Sequence, residues 1–176
     1  YLGLFLEMTV KATKTQRILE VGTFTGYSTL SFARGLPANG KIVTLDRDAK
    51  SNSVAREVAE ANGLAAKIDF VLGDALESMK TIAEKVESGS EQPFDLVFID
   101  ADKIRYPLYW EQAFRLTKVG SLILADNILR DGGAIEPQDE GDRAIKGFNE
   151  MVSKDPRVDK IFFPIRDGLL YSIRKT

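Results

Sequence analysis

Apolar residues along the chain form two kinds of pattern, short continuous runs and longer stretches in which they recur about every three to four residues. The short runs predict five β-strands, at Arg17–Val21, Lys41–Leu45, Ile68–Leu72, Phe94–Ile99 and Ser121–Ala125. Helices are predicted between them, in the stretch up to Leu36, from Asp48 to Gly63, over Ala75–Val86, around Pro107–Thr117 and from about Asp142 to Lys154. Strands that alternate with helices are typical of an α/β protein with a parallel sheet.

The C-terminal pattern differs, because two apolar runs, Lys160–Ile165 and Leu169–Ile173, are separated only by an Arg-Asp-Gly turn. Strands joined by so short a turn must be antiparallel. The sequence therefore predicts one doubly wound α/β sheet, mostly parallel with an antiparallel C-terminal strand, and a single domain over residues 1–176. The ligand of such a sheet binds outside the carboxyl ends of the strands.

Composition excludes several classes of protein. The chain has 176 residues, 44% of them hydrophobic and 28% charged, which are ordinary values for a globular domain. Lys and Arg number 24 against 26 Asp and Glu, so no basic excess is available for a nucleic-acid backbone. No apolar run approaches the roughly 20 residues of a membrane span. We therefore expect neither nucleic acid nor a membrane as a partner.

The chain contains no Cys and no His, which limits the available chemistry. Thiolate nucleophiles, Ser–His triads and the usual zinc ligands are excluded. Catalysis must use Asp, Glu, Lys, Tyr or hydroxyl groups, and any metal must have oxygen ligands, so that Mg²⁺, Mn²⁺ or Ca²⁺ are the candidates. The lack of Cys also agrees with a cytoplasmic location.

Acidic residues stand at or just after the predicted strand ends, at Glu20, Asp46, Asp74, Asp100 and Asp126. Any one of them could be a turn former or a helix cap, because Asp is common in both roles. Five at one edge of a sheet would repel one another unless cations or hydrogen-bond donors gather there. The pattern favours a cationic, hydroxyl-rich ligand.

A glycine-containing loop between the first strand and the first helix indicates which ligand this is. In Gly22-Thr-Phe-Thr-Gly26 the position that approaches a pyrophosphate in nicotinamide-binding loops is Phe24, whose side chain would crowd it. A nucleoside-like ligand without pyrophosphate remains, with Asp46 to accept the ribose hydroxyls. S-adenosylmethionine fits, because its carboxylate suits a helix N-terminus and its sulfonium suits an acidic edge. A nicotinamide-dependent oxidoreductase stays the alternative enzyme.

From Arg17 onward the chain resembles the cation-dependent O-methyltransferases related to caffeoyl-coenzyme A and catechol O-methyltransferases. The matching stretches are Ile18–Ser28, Gly73–Ala75, Asp95–Lys103, Gly120–Asn127, Phe148-Asn149 and Asp167–Leu169. Asp100-Ala-Asp-Lys103 followed by Asp126-Asn127 is the most specific part. The resemblance implies a Rossmann-like methyltransferase sheet and methyl transfer from S-adenosylmethionine to a hydroxyl of a catechol-like small molecule. It also implies a homodimer, and that the family's N-terminal helices mostly precede Tyr1.

Carried over by position, the resemblance implies a role for each matching residue. The metal ligands are Asp100, Asp126 and Asn127, and Asp100 also contacts the acceptor. The cofactor contacts are Glu20, Gly22, Thr23, Ser28, Asp46, Ala75 and Asp102. Lys103 corresponds to the catalytic lysine, which takes the proton of the acceptor hydroxyl or stabilises its charge.

The sequence departs from the family just after the metal ligands. Many members have Trp where this chain has Arg130, and Asp131 stands where plant members have an Asn that contacts the acceptor. A third possibility is therefore a methyltransferase-fold binding protein that does not catalyse. Tyr106, Tyr109 and Trp110 lie near the same edge, and their helical spacing is more typical of core residues than of a substrate platform.

Overall fold

The computed structural model describes all residues 1–176, which form seven strands and six α-helices. The strands are β1 Arg17–Val21, β2 Lys41–Asp46, β3 Ile68–Leu72, β4 Phe94–Ile99, β5 Thr117–Asp126, β6 Val158–Phe163 and β7 Leu169–Arg174. The helices are α1 Leu2–Thr13, α2 Tyr27–Gly35, α3 Ala49–Ala61, α4 Ala75–Glu87, α5 Tyr106–Leu116 and α6 Glu140–Ser153. No helix combines the length and the apolar character that a membrane crossing requires.

All seven strands belong to one sheet in the order β3-β2-β1-β4-β5-β7-β6. Strands β1 to β5 pair in parallel, and β7 lies antiparallel between β5 and β6. The predicted fold class, a mostly parallel sheet with an antiparallel C-terminal strand, is confirmed. The strand order reverses between β1 and β4, and a crevice opens at such a reversal, outside the carboxyl ends of the strands.

Helices cover both faces of the sheet. One face packs against α1, α2 and α3, for example through Leu6, Phe32 and Ala59, and the other against α4, α5 and α6. The aromatic group of α5 belongs to this second core, since Tyr106, Tyr109 and Trp110 are fully buried. The Trp110 indole N–H donates to the Asp155 carboxylate at 3.0 Å. Their interpretation as core residues is correct, although two of them also take part in the site described below.

The observed elements differ from the predicted ones most at two places, and β6 also begins and ends two residues earlier than predicted. Helix α1 was not predicted, although Leu2, Leu6 and Val10 are buried at a spacing of four residues. Strand β5 begins at Thr117 rather than Ser121, because Thr117 pairs with Phe94 across a register shift before regular pairing resumes at Leu122. The first four residues of β5 are Thr, Lys, Val and Gly, and only one of them is strongly apolar, so they do not form an apolar run.

Candidate functional site

A cleft lies at the carboxyl ends of β1, β2 and β4, where the strand order reverses. Five residues with predicted roles line it, Gly22, Asp46, Ala75, Asp100 and Asp102. The cleft also includes side chains for which no role in it was predicted, among them Phe24, Arg47, Arg105 and Tyr109. The structure therefore brings together residues from four separate stretches of the chain at the position expected for the ligand of such a sheet.

Asp46 shapes the glycine loop at one side of this cleft. Its Oδ2 accepts hydrogen bonds from the backbone N–H groups of Thr23 at 3.0 Å and Phe24 at 2.7 Å, and its Oδ1 accepts from the Asp48 N–H at 2.9 Å. These bonds hold Phe24 in a left-handed conformation with φ 46°, and 71% of its surface is exposed. Asp46 thus orders the loop before any ligand binds.

Gly22 brings the glycine loop into contact with the turn after β4. Its φ is +102°, and a Cβ added there would lie 2.0 Å from the carbonyl oxygen of Asp100. No side chain fits at that distance, so only glycine allows the two backbones to approach. The Asp100 N–H completes the junction by donating to the Val21 carbonyl at 2.8 Å.

Glu20 lies behind the loop and is fully buried. Its carboxylate accepts hydrogen bonds from the hydroxyls of Ser28 at 2.5 Å, Thr44 at 2.6 Å and Thr29. Thr44 also contacts the Thr23 hydroxyl at 2.6 Å. Burial raises the pKa of Glu20 to about 7, although the three hydroxyl donors oppose that change. Of the predicted cofactor contacts, Glu20, Thr23 and Ser28 therefore form a polar network beneath the cleft instead of lining it.

Arg105 supplies the hydrogen-bond donors that the acidic edge requires. Its guanidinium donates to Asp102 Oδ2 and to Asp74 Oδ2, both at 2.7 Å, and the Tyr109 hydroxyl donates to Asp102 Oδ1 at 2.6 Å. Burial alone would raise the pKa of Asp102, but the bonds from Arg105 and Tyr109 outweigh it and lower the pKa. Asp74 is also the N-cap of α4, so its interpretation as a helix cap is correct.

A second polar group lies beside the cleft, at the carboxyl ends of β4 and β5. The Lys103 ammonium is at its centre and donates to Asp100 Oδ1 at 3.0 Å, Asn127 Oδ1 at 3.1 Å and the Tyr106 hydroxyl at 2.5 Å. Tyr106 in turn donates to the Asp126 carbonyl at 3.0 Å. Because that hydroxyl is already a donor, Lys103 needs all three of its own N–H groups, which is the ammonium form.

Asp126 is the buried member of this second group, with 6% of its surface exposed. The structure shows one hydrogen bond to its carboxylate, from the Asn127 N–H at 2.8 Å. Burial, together with the charge of Asp100, raises the pKa of Asp126 to about 6. No cluster of three or more His, Cys, Asp or Glu side chains exists in the chain that could hold a metal. A cation here would have two carboxylates and the Asn127 amide oxygen.

A polar pocket adjoins this group and is lined by Lys103, Asn127, Arg130, Asp131 and Asp167. Asp131, the predicted acceptor contact, is therefore near Lys103 and Asn127. The Arg130 guanidinium turns toward the start of α6, where it binds Asp142 at 2.7 Å and Asp139 at 3.0 Å. No hydrophobic side chain lines this pocket, so no other aromatic residue takes the place of the Trp that many family members have at position 130.

Comparison with known proteins identifies this arrangement. The family model described as O-methyltransferase matches residues 2–175. Tricin synthase 1 of Oryza sativa subsp. japonica is 40% identical over 173 residues, covering 93% of this chain and 69% of the relative. Catechol O-methyltransferase of Niastella koreensis is 38% identical over 160 residues, covering 89% and 70%. The chain belongs to the O-methyltransferase family.

A solved structure supports the same assignment. The O-methyltransferase from Bacillus cereus, determined in complex with SAH, superimposes with a TM-score of 0.89 at 33% identity over 99% of this chain and 80% of that one. The family resemblance is confirmed, and the protein is an S-adenosylmethionine-dependent O-methyltransferase. This result decides against a nicotinamide-dependent oxidoreductase.

The buried Glu20 of this methyltransferase is expected to make its stability depend on pH. Its pKa rises from 4.5 to about 7 on folding, so the folded protein binds the proton more tightly than the unfolded chain. Stability should then fall as pH rises across this window, by up to about 3 kcal/mol. Glu20→Gln cannot lose a proton, so we expect its free energy of unfolding to decline less between about pH 4.5 and about pH 7.

Urea denaturation of both proteins across this pH range measures the difference. Glu60→Gln is the matched control, because Glu60 is exposed on α3. Parallel curves for wild type and Glu20→Gln would show that Glu20 has an ordinary pKa.

Proposed function

We propose that this enzyme transfers the methyl group to one hydroxyl of a vicinal dihydroxy aromatic molecule, with a divalent cation held by Asp100, Asp126 and Asn127. The observation that carries the proposal is the position of Lys103 Nζ, which lies 3.0 Å from Asp100 Oδ1 and 3.1 Å from Asn127 Oδ1. Oxygens from the ends of β4 and β5 thus converge on a single positive charge.

The chemistry of these three side chains fits a hard cation. Two carboxylates and one amide supply only oxygen ligands, the type that Mg²⁺, Mn²⁺ and Ca²⁺ prefer. Asp126 accepts a single hydrogen bond although it is buried, so its carboxylate has capacity for a cation. When bound, a divalent cation supplies positive charge that favours ionisation of an acceptor hydroxyl.

The cleft on the other side of Asp100 is the proposed S-adenosylmethionine site. Three backbone N–H groups use three of the roughly four acceptor sites of the Asp46 carboxylate, so its Oδ1 can accept one further hydrogen bond from a ribose hydroxyl. Gly22, Ala75 and Asp102 line the same cleft. Glu20, Thr23 and Ser28 would support the loop from below.

Lys103 is the proposed catalytic residue. Its side chain is 15% exposed and faces the polar pocket, where an acceptor oxygen would replace one of its three present hydrogen-bond partners. In the ammonium form it would donate to that oxygen as negative charge develops there. Asp131, which lines the same pocket, would accept a hydrogen bond from the acceptor's second hydroxyl.

Methylation of a small panel of catechols tests the proposal. With Mg²⁺ or Mn²⁺ and S-adenosylmethionine, we expect one monomethylated product, and we expect an excess of chelator to abolish its formation until cation is restored. Mass spectrometry detects the product, and calorimetry in the same buffers follows cofactor binding. Cofactor binding without methylated product would favour a non-catalytic binding protein, and full activity in excess chelator would contradict the cation site.

We also propose that the enzyme is a homodimer. Leu4 and Met8 of α1 lie one helical turn apart, and each has 59% of its surface exposed, which suits an apolar contact. Light scattering after size-exclusion chromatography measures the mass directly, and a mass of 19.5 kDa would contradict this proposal.

A further inference from the structure

The segment Asn127–Asp131, termed here the β5 loop, has an unusual backbone. Three of its five residues are non-glycine residues in the left-handed region, Asn127 at φ 57°, Arg130 at φ 47° and Asp131 at φ 51°. Such residues are sparse in proteins and persist where surrounding contacts hold them. The β5 loop also contains one proposed cation ligand, Asn127, and one proposed acceptor contact, Asp131.

The turn between β6 and β7 holds the β5 loop from one side. Its carbonyl groups accept hydrogen bonds from the backbone, Gly168 from the Ile128 N–H at 3.2 Å and Asp167 from the Leu129 N–H at 2.9 Å. Gly168 is packed so tightly that a Cβ would lie 2.5 Å from Leu129 Cγ. The side chain of Asp167 adds a third bond, in which Oδ1 accepts from the Asp131 N–H at 2.7 Å.

Helix α6 holds the same loop from the other side. The Asn149 amide donates to the Ile128 carbonyl at 2.7 Å. Asn149 and Asp167 lie in two stretches that match the family, Phe148-Asn149 and Asp167–Leu169. Neither residue has a role in the proposed cofactor or cation sites. Their shared contact with the β5 loop indicates that their role is to hold this loop.

We propose that Asp167 is a positioning residue, whose carboxylate sets the orientation of Asp131 toward the acceptor. The inference rests on the proposed function, because it takes Asp131 as an acceptor contact. Any residue at position 167 would offer the backbone carbonyl that holds Leu129, whereas the bond to the Asp131 N–H depends on the side chain. Loss of the carboxylate should therefore release Asp131 and leave Asn127 and Ile128 in place.

Hydrogen exchange measured by NMR tests this directly in the full chain, without turnover or added metal. We expect the Asp131 amide to be protected in the wild type and to exchange at least about tenfold faster in Asp167→Ala. Asp167→Asn keeps an oxygen that can accept the same bond, so its Asp131 amide should stay within about threefold of wild type. A wild-type Asp131 amide that exchanges as fast as an exposed one overturns the proposal.

Kinetics separate positioning from a direct contact of Asp167 with the acceptor. For Asp167→Ala we expect the KM for the catechol to rise about tenfold, with kcat and the Kd for S-adenosylmethionine nearly unchanged. Asp167→Asn should restore the KM. If Asp167→Asn instead behaves as Asp167→Ala does, the residue acts through its charge, and the proposal is wrong.

Asp159→Ala is the matched control, because Asp159 lies on β6 in the same hairpin and pairs with Lys175 on the surface. It should change neither exchange at Asp131 nor the catechol KM. A wild type that methylates nothing would contradict the proposed function, while the exchange measurement would still decide whether Asp167 holds Asp131. Normal wild-type turnover with unaltered exchange in Asp167→Ala would contradict the positioning role alone.

Discussion

Lys103→Met is expected to lower kcat for methyl transfer by a factor of about 10²–10⁴, the usual range for loss of a group that handles the reacting proton or its charge. The substitution keeps much of the apolar stem and removes the ammonium that contacts Asp100, Asn127 and Tyr106. The cofactor cleft does not include Lys103, so the Kd for S-adenosylmethionine should change little. Single-turnover kinetics and calorimetry measure the two quantities.

The same variant should bind Mn²⁺ at least as tightly as the wild type does, because the ammonium occupies two of the oxygens that a cation would use. Lys80→Met is a suitable control, since Lys80 forms an exposed pair with Glu77 on α4. A near-normal kcat for Lys103→Met between about pH 6 and about pH 9 would show that cation charge alone activates the acceptor.

Asp126→Asn is expected to lower kcat at least about a hundredfold and to weaken Mn²⁺ binding, because it removes the buried carboxylate of the proposed cation site. Without cation the same change should stabilise the protein above about pH 6. The pKa of Asp126 rises from 3.8 to about 6 on folding, so the wild type loses more stability than the variant does as pH rises through that window.

Steady-state kinetics measure kcat, and thermal unfolding with chelator and with Mn²⁺ checks the predicted changes in stability and in Mn²⁺ binding. Added Mn²⁺ should raise the Tm of the wild type and leave that of Asp126→Asn nearly unchanged. Asp69→Asn, at an exposed position of β3, provides the control. Equal Mn²⁺ stabilisation of both proteins would place the cation elsewhere.

Much of the fold could be predicted because each strand and helix after Arg17 has its own apolar pattern. The strand ends then bring Asp46, Asp100 and Asp126 to one edge without further information. Helix α1 was missed although Leu2, Leu6 and Val10 share one face, because Tyr1 provides no side-chain cap and no acidic residue marks its first turn. Its stability comes from packing against α2 and the sheet, which the local sequence does not show.

The sequence alone did not predict which side chains contact the site residues from other helices, strands and turns. Arg105 lies three residues after Asp102, and this spacing could have suggested their ion pair. Its second partner, Asp74, is distant in the chain, so the bridge between them depends on the tertiary fold. The same holds for Asp167, whose bond to Asp131 joins residues 36 positions apart.

The contact at Gly22 has a consequence for how acceptor range can change in this enzyme. In the proposed function, S-adenosylmethionine would bind on one side of the contact between Gly22 and Asp100 and the acceptor on the other, and glycine leaves no side chain between the loop and Asp100. The separation of the two reactants would then be set by main-chain packing and not by the side chains of the β5 loop. New acceptors could then be accommodated by exchanging residues 128–131 together with the Asp167 support, while Asn127 remains as the proposed cation ligand and the distance over which the methyl group moves stays the same.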